Sequence, residues 1–75
     1  MEVLVFGQLT DVTKKAQLTL PALTNTDLLR EKLLQDYPGL KEFTFVIAVN
    51  KQTVQGLKDL QDTDVVALMP AFSGG

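Results

Sequence analysis

The sequence predicts an α+β chain, with one mixed sheet of four or five strands and one main helix packed across one face. Three observations carry that expectation. Short β-branched and aromatic runs lie near both ends of the chain, the apolar repeat changes to a helical one from Asn25, and Pro21, Pro38 and Pro70 stand where the patterns change.

Residues 2–8 (EVLVFGQ) are apolar, with Val3, Val5 and Phe6 suited to a pleated surface, and read as a first strand. Residues 9–15 (LTDVTKK) read as a polar loop or turn, with the basic doublet Lys14–Lys15 in solvent. In AQLTLP, 16–21, Leu18 and Leu20 alternate with polar neighbours, which predicts a half-buried strand and an N-terminal hairpin with the first. Leu29, Leu33 and Tyr37 then recur at i, i+4 and i+8, flanked on the same stripe by Thr26 and Leu34, which predicts a helix. Asn25 is its expected N-cap, Asp27 complements the dipole in its first turn, and Pro38–Gly39 should halt it after Tyr37. FTFVIAVN, 43–50, is apolar almost throughout and too short for a typical helix, so it reads as a buried strand. A weaker strand over Gln52–Val54, a turn at Gly56, a loop anchored by Leu60, and a last strand VVALMP at 65–70 complete the order. Strands on both sides of one helix in so short a chain favour a β-grasp, the ubiquitin-like architecture, with the first and last strands side by side in mid-sheet.

Composition narrows the function. Seventy-five residues suffice for one small domain, expected at 1–70 with a flexible tail at 71–75. There is no Cys and no His, so the usual zinc ligands are missing, as are Ser-His and Cys-His dyads. No pair of residues is identifiable as nucleophile and base, which leaves an independent enzyme the weakest class. Seven basic against nine acidic residues give a net charge of −2 and no basic cluster for nucleic acid. No apolar run approaches a membrane span, and Glu2 stands where a signal peptide would carry positive charge, so the expected protein is soluble, cytoplasmic and untargeted. Asp62 and Asp64 offer two carboxylates without a third ligand and read as turn residues, not a metal site.

Alternation assigns the faces. Val3 and Val5 share one face of the first strand, Leu4 and Phe6 the other; Val66 and Leu68 share one face of the last, Val65, Ala67 and Met69 the other. A single helix covers one face. If it covers Val3, Val5, Val66 and Leu68, then Leu4, Phe6, Ala67 and Met69 form an exposed apolar patch, continued through Pro70 to Phe72 and Ser73. Scattered surface apolars are common on folded proteins, but a contiguous patch of this kind marks a protein-protein interface.

The chain closes on PAFSGG. Pro70 has no N–H, so it should end the sheet pairing and release an arm. Such a terminus is either a frayed end or a working one. Gly74 and Gly75 lack Cβ atoms, can thread a narrow channel, and leave the final carbonyl carbon unshielded. The carboxylate is ionised at neutral pH, hence a poor electrophile that requires activation. Gly7, Gly39 and Gly56 are isolated and form no phosphate loop, so the activating enzyme must be a separate protein.

With these features the whole chain resembles the MoaD/ThiS family of β-grasp sulfur carriers, on the molybdopterin synthase side of it. The resemblance is carried by VLVFGQL, by the helix with Asn25, Leu29 and Leu33, by AVN at 48–50, by LQDTDVVALMP, and by the final SGG. It implies that an adenylating enzyme uses ATP to activate the carboxylate of Gly75, that a sulfur donor protein supplies the sulfur of a thiocarboxylate, and that Gly74 permits access. It further implies that this end enters the large subunit of molybdopterin synthase, in a heterotetramer, and gives sulfur to precursor Z. Phe6 and Met69 fall where the family has hydrophobic partner contacts. The carrier itself is then non-catalytic and binds no cofactor. Two departures stand out: Thr63 occupies the middle of what is commonly Asp-Gly-Asp, and Ala71 follows Pro70 where Pro-Pro is frequent. Sulfur carriers for thiamine, cysteine or tRNA thiolation share fold and tail, and a ubiquitin-like modifier or plain interaction module is the alternative of another class.

Overall fold

Backbone pairing in the computed structural model, which describes residues 1–71, sets the first and last strands side by side in mid-sheet. Strand β1 (Glu2–Val5) is followed by a short helix α1 (Leu9–Thr13), strand β2 (Gln17–Thr19) and the main helix α2 (Thr26–Asp36). A 3-10 turn (Pro38–Glu42), β3 (Phe45–Val49), β4 (Gln52–Val54) and β5 (Val66–Pro70) complete the order. The sheet runs β2-β1-β5-β3-β4. The pair β1/β5 is parallel, with Val3 opposite Val66 and Val5 opposite Leu68, and the other neighbours are antiparallel. This is the expected β-grasp.

The helix covers one face, as alternation predicts. Val3, Val5, Val66 and Leu68 are all buried, as are Leu29 and Leu33 of α2, within one core that also takes in Phe45, Ile47, Val49, Leu18 and Leu20. Burial of each such side chain contributes about 1.5–3 kcal/mol, which in a chain without disulfides is the main source of stability. Asn25 caps α2 through its side-chain oxygen, which accepts from the Leu28 N–H at 2.9 Å. Buried Thr26 ties the helix start to the loop after β4: its N–H donates to the Lys58 carbonyl, and its hydroxyl donates to the Gly56 carbonyl and accepts from the Lys58 N–H. Leu60 is the buried anchor of that loop, and Gly56, at φ +87°, makes the turn before it.

Several boundaries differ from expectation, each for a physical reason. Residues 9–13 form a helix, not a loop. Five residues cannot hold a helix by propensity, and this one is held by burying Leu9 and Thr13, one turn apart, on one side. The helix α2 stops before Pro38 as expected, yet the chain coils on through a 3-10 turn that buries Leu40. The strands are shorter than the apolar runs that announced them, at Glu2–Val5, Gln17–Thr19, Phe45–Val49 and Val66–Pro70.

Pro70 departs from expectation on one side only. Alternate residues of a strand turn their N–H groups to opposite neighbours, so position 70 turns the same way as Leu68, whose carbonyl accepts the Phe6 N–H from the β1 side. The missing N–H ends pairing there. On the β3 side Pro70 still lies opposite Phe45, and the Ala71 N–H donates to the Thr44 carbonyl at 2.9 Å, so pairing continues one residue further.

Two carboxylates stabilise loops and edges. Glu2 accepts from Gln17 Nε2 at 2.6 Å and Thr19 Oγ1 at 3.1 Å across the β1/β2 pair, and the Gln17 bond, foremost, holds its carboxyl below the ordinary 4.5. Asp64 accepts from the Gln61 N–H at 2.9 Å and from Asn50 Nδ2 at 3.0 Å, which holds it below the ordinary 3.8 in the same order of cause. Both groups therefore bind protons more weakly folded than unfolded. Their contribution is complete above those ordinary values and is lost as pH falls through the lowered folded ones. Urea unfolding of the wild type should show a midpoint that declines on acidification through this window, and Glu2→Gln and Asp64→Asn should each flatten the decline; an unchanged acid limb in both variants would contradict the assignment.

Candidate functional site

On the face that α2 leaves open, cross-strand neighbours set the side chains in rows. Glu2, Leu4 and Phe6 project from β1 and its extension, Gln17 and Thr19 from β2 opposite Leu4 and Glu2, and Ala67 and Met69 from β5. From β3 come Val46 and Ala48, opposite Met69 and Ala67. Leu4, Phe6, Ala48, Lys51, Val65, Ala67 and Met69 together line a shallow apolar depression of about 350 Å³. Phe6 is 46% and Val65 52% exposed, large apolar side chains left in water by the sheet itself.

The four residues expected to form the patch, Leu4, Phe6, Ala67 and Met69, are thus brought together on one surface. Pro70, expected with them, is half-buried at the rim where β5 ends. Phe72, Ser73, Gly74 and Gly75 lie outside the described residues, and with them the expected sulfur-bearing position. Three lining residues were not among the expected set. Val65 shares the parity of Ala67 and Met69 and could have been included on that ground. Ala48 stands in an apolar run whose faces its composition does not distinguish; it has the parity opposite to Ile47 and Val49, and as a small residue it makes a floor. Lys51 takes its place from the two-residue turn between β3 and β4, where Asn50 and Lys51 have φ of +52° and +72°.

Asn50 also fixes the start of β5. Its side-chain oxygen accepts from the Val65 N–H at 3.0 Å, its amide donates to Asp64, and its own N–H donates to the Val65 carbonyl at 2.8 Å. Asp64 accordingly spends its carboxylate oxygens on Gln61 and Asn50, as a turn residue does. Among the described residues no three His, Cys, Asp or Glu side chains gather as a metal site, and no helix is long and apolar enough to cross a membrane. On the opposite side, Glu31, Leu34, Gln35 and Lys41 border a second depression between α2 and the 3-10 turn.

What the open face offers is apolar contact area with a polar border: Glu2, Gln17 and Thr19 at one edge, Lys51 at the other. Desolvation by a second protein is the physical event that this surface favours.

Comparison with known proteins agrees with the fold. Three solved structures resemble the chain along nearly its full length. A Pyrococcus furiosus chain described as molybdopterin converting factor subunit 1 is 23% identical, with a TM-score of 0.79 and 95% of each chain covered. The structure of SAMP1 from Haloferax volcanii is 19% identical, with a TM-score of 0.74 and coverage of 99% of this chain and 97% of that one. At such identities these two speak for the β-grasp fold alone. A chain from the complex of subunits 1 and 2 of the molybdopterin-converting factor of Helicobacter pylori is 32% identical, with a TM-score of 0.69 and coverage of 99% and 96%. The family model that matches is that of the ThiS family, over residues 3–75. The chain therefore belongs to the ThiS family and is a small sulfur carrier of the MoaD/ThiS type.

Proposed function

We propose that this protein is the sulfur carrier subunit of a molybdopterin synthase, consumed and regenerated in molybdenum cofactor biosynthesis. The observation that carries the proposal is the open apolar face, to which β5 contributes Ala67 and Met69 just before it ends at Pro70, the residue from which the SGG-terminated segment continues. The 32% identity with a chain of the Helicobacter pylori subunit 1 and 2 complex supports a large-subunit partner.

The chemistry follows from the carboxylate of Gly75. An oxygen of that carboxylate attacks the α-phosphorus of ATP in a separate adenylating enzyme, and the bond to pyrophosphate breaks. The mixed anhydride has AMP as a good leaving group. A hydrosulfide-level sulfur, supplied by a donor protein, then forms a bond to the carbonyl carbon and expels AMP, leaving a thiocarboxylate. Residues 71–75 serve as the carrier arm, with Gly74 giving passage, while Leu4, Phe6, Ala67 and Met69, with Phe72 and Ser73 of the arm, contact the protein that holds the domain. In the large subunit the sulfur passes to precursor Z: a carbon–sulfur bond forms to the acceptor, and water cleaves the carbon–sulfur bond to the Gly75 acyl group, which regenerates the carboxylate. The carrier supplies no catalytic base and holds no cofactor of its own; ATP is used by the activating enzyme in the cytoplasm.

Intact-mass measurement of the chain incubated with an adenylating enzyme, ATP and a sulfur donor should show replacement of one oxygen by sulfur, localised to Gly75. No gain with enzymes active on a known carrier would refute the carrier role. Sulfur delivery to precursor Z in the presence of a large subunit distinguishes this pathway from thiamine, cysteine or tRNA thiolation, and lysine conjugates on other proteins would instead mark a modifier. The docking face makes a separate prediction: Phe6→Asp and Met69→Asp should each weaken large-subunit binding by about thirtyfold or more. The unfolding free energy should move by no more than about 0.5 kcal/mol for Phe6→Asp, at an exposed position, and fall by about 1–2 kcal/mol for Met69→Asp, half-buried in mid-sheet, with both chains still folded. Unfolding of both variants would place these side chains in the core instead.

A further inference from the structure

Where β1 runs out, Gly7 turns the chain with φ +61°, a conformation that side-chain-bearing residues rarely adopt. Glycine is required there for a second reason. A Cβ at position 7 would lie 2.7 Å from Pro70 Cγ and 3.2 Å from Pro70 Cδ, closer than carbon atoms approach without one of them moving. The bare backbone of Gly7 and the ring of Pro70 therefore occupy adjoining space, with no room between them for a methyl group.

That contact sits at a particular place in the pairing scheme. Phe6 makes the final β1-to-β5 hydrogen bond, through its N–H to the Leu68 carbonyl at 3.0 Å. Beyond it Pro70 has no N–H to offer on this side, so steric fit alone locates the ring against β1. On the other side the Ala71 N–H holds to the Thr44 carbonyl at 2.9 Å. Residues 70–71 are thus fixed between a hydrogen bond to Thr44, just before β3, and a close approach to Gly7.

We infer that Gly7 is a positioning residue for sulfur loading: by leaving space for the Pro70 ring it keeps Ala71 bonded to Thr44 and so sets the point and direction from which the reactive arm enters the activating enzyme. This rests on the carrier function proposed above. Gly7 acts through Pro70 and takes no part in the chemistry itself. Small errors in the placement of a reacting group cost large factors in rate, so the effect should fall on turnover and spare docking, which the open face provides.

Gly7→Asn separates the two demands on position 7, because Asn tolerates left-handed backbone and yet carries the Cβ that meets Pro70. In Gly7→Asn, amide exchange at Ala71 should accelerate about tenfold or more while Val66 and Leu68 stay protected. With the full chain and an adenylating enzyme, pyrophosphate release should lose about tenfold or more in kcat, with KM changed by less than about twofold. In a Pro70→Ala background the same substitution should cost less than about twofold in kcat, since the ring it displaces is gone. Unchanged Ala71 exchange would overturn the inference, as would a rise in KM that tracks the fraction folded with kcat unchanged, or an undiminished penalty in the Pro70→Ala background. The two proposals fail differently. If the wild type releases no pyrophosphate, the carrier role falls, whereas Ala71 exchange still decides whether Gly7 seats the root of the arm.

Discussion

The organisation of this protein depends on one pairing, the parallel alignment of β1 with β5 in the middle of the sheet. It places two largely apolar strands side by side, with Val3, Val5, Val66 and Leu68 turned to α2 and Leu4, Phe6, Ala67 and Met69 turned away. One helix can cover one face. The first set forms the core that stabilises a chain with neither disulfide nor cysteine, and the second stays on the open face, the docking surface of the proposed carrier. Core and open face are thus two sides of the same two strands, and a partner bound to the open face would add to stability by mass action.

The same pairing positions Pro70 and Ala71. Because β5 is central, the segment after it starts from the rim of the open face, flanked by β1 on one side and β3 on the other. Pro70 marks the asymmetry between them: no N–H is available toward β1, where Gly7 turns away, while Ala71 still bonds to Thr44 of the segment before β3. At the opposite end of β5, Asn50 holds Asp64 and Val65, so both ends of the strand that carries half of the apolar face are tied down.

Much of this was legible in the sequence, and the failures have physical causes. The helix was readable because Leu29, Leu33 and Tyr37 repeat over two turns and Asn25 announces its start; the capping bond to Leu28 is present. The open face was readable because neither β1 nor β5 alternates with polar residues. Helix α1 was not readable: Leu9 and Thr13 offer one turn of spacing, and its stability comes from tertiary contacts that no local pattern records. Nor could a run as apolar as FTFVIAVN reveal that Ala48 floors a groove while Ile47 and Val49 enter the core. The role of Pro70 was half legible, since the missing N–H is a property of the residue but the neighbour toward which it points is a property of the sheet. Lys51 and the close approach of Gly7 to Pro70 depend on three-dimensional proximity alone.

The central claim is that the face opposite α2 is where the partner docks. Its most direct test is the pattern of backbone amide chemical-shift changes in the isotopically labelled chain as an unlabelled large subunit of molybdopterin synthase is added. Changes concentrated at Leu4, Phe6, Lys51, Val65, Ala67 and Met69, with Glu31, Leu34, Gln35 and Lys41 on the helix side unmoved, are the predicted result. Saturable binding whose changes centre on the α2 side and spare β1 and β5 would contradict the account.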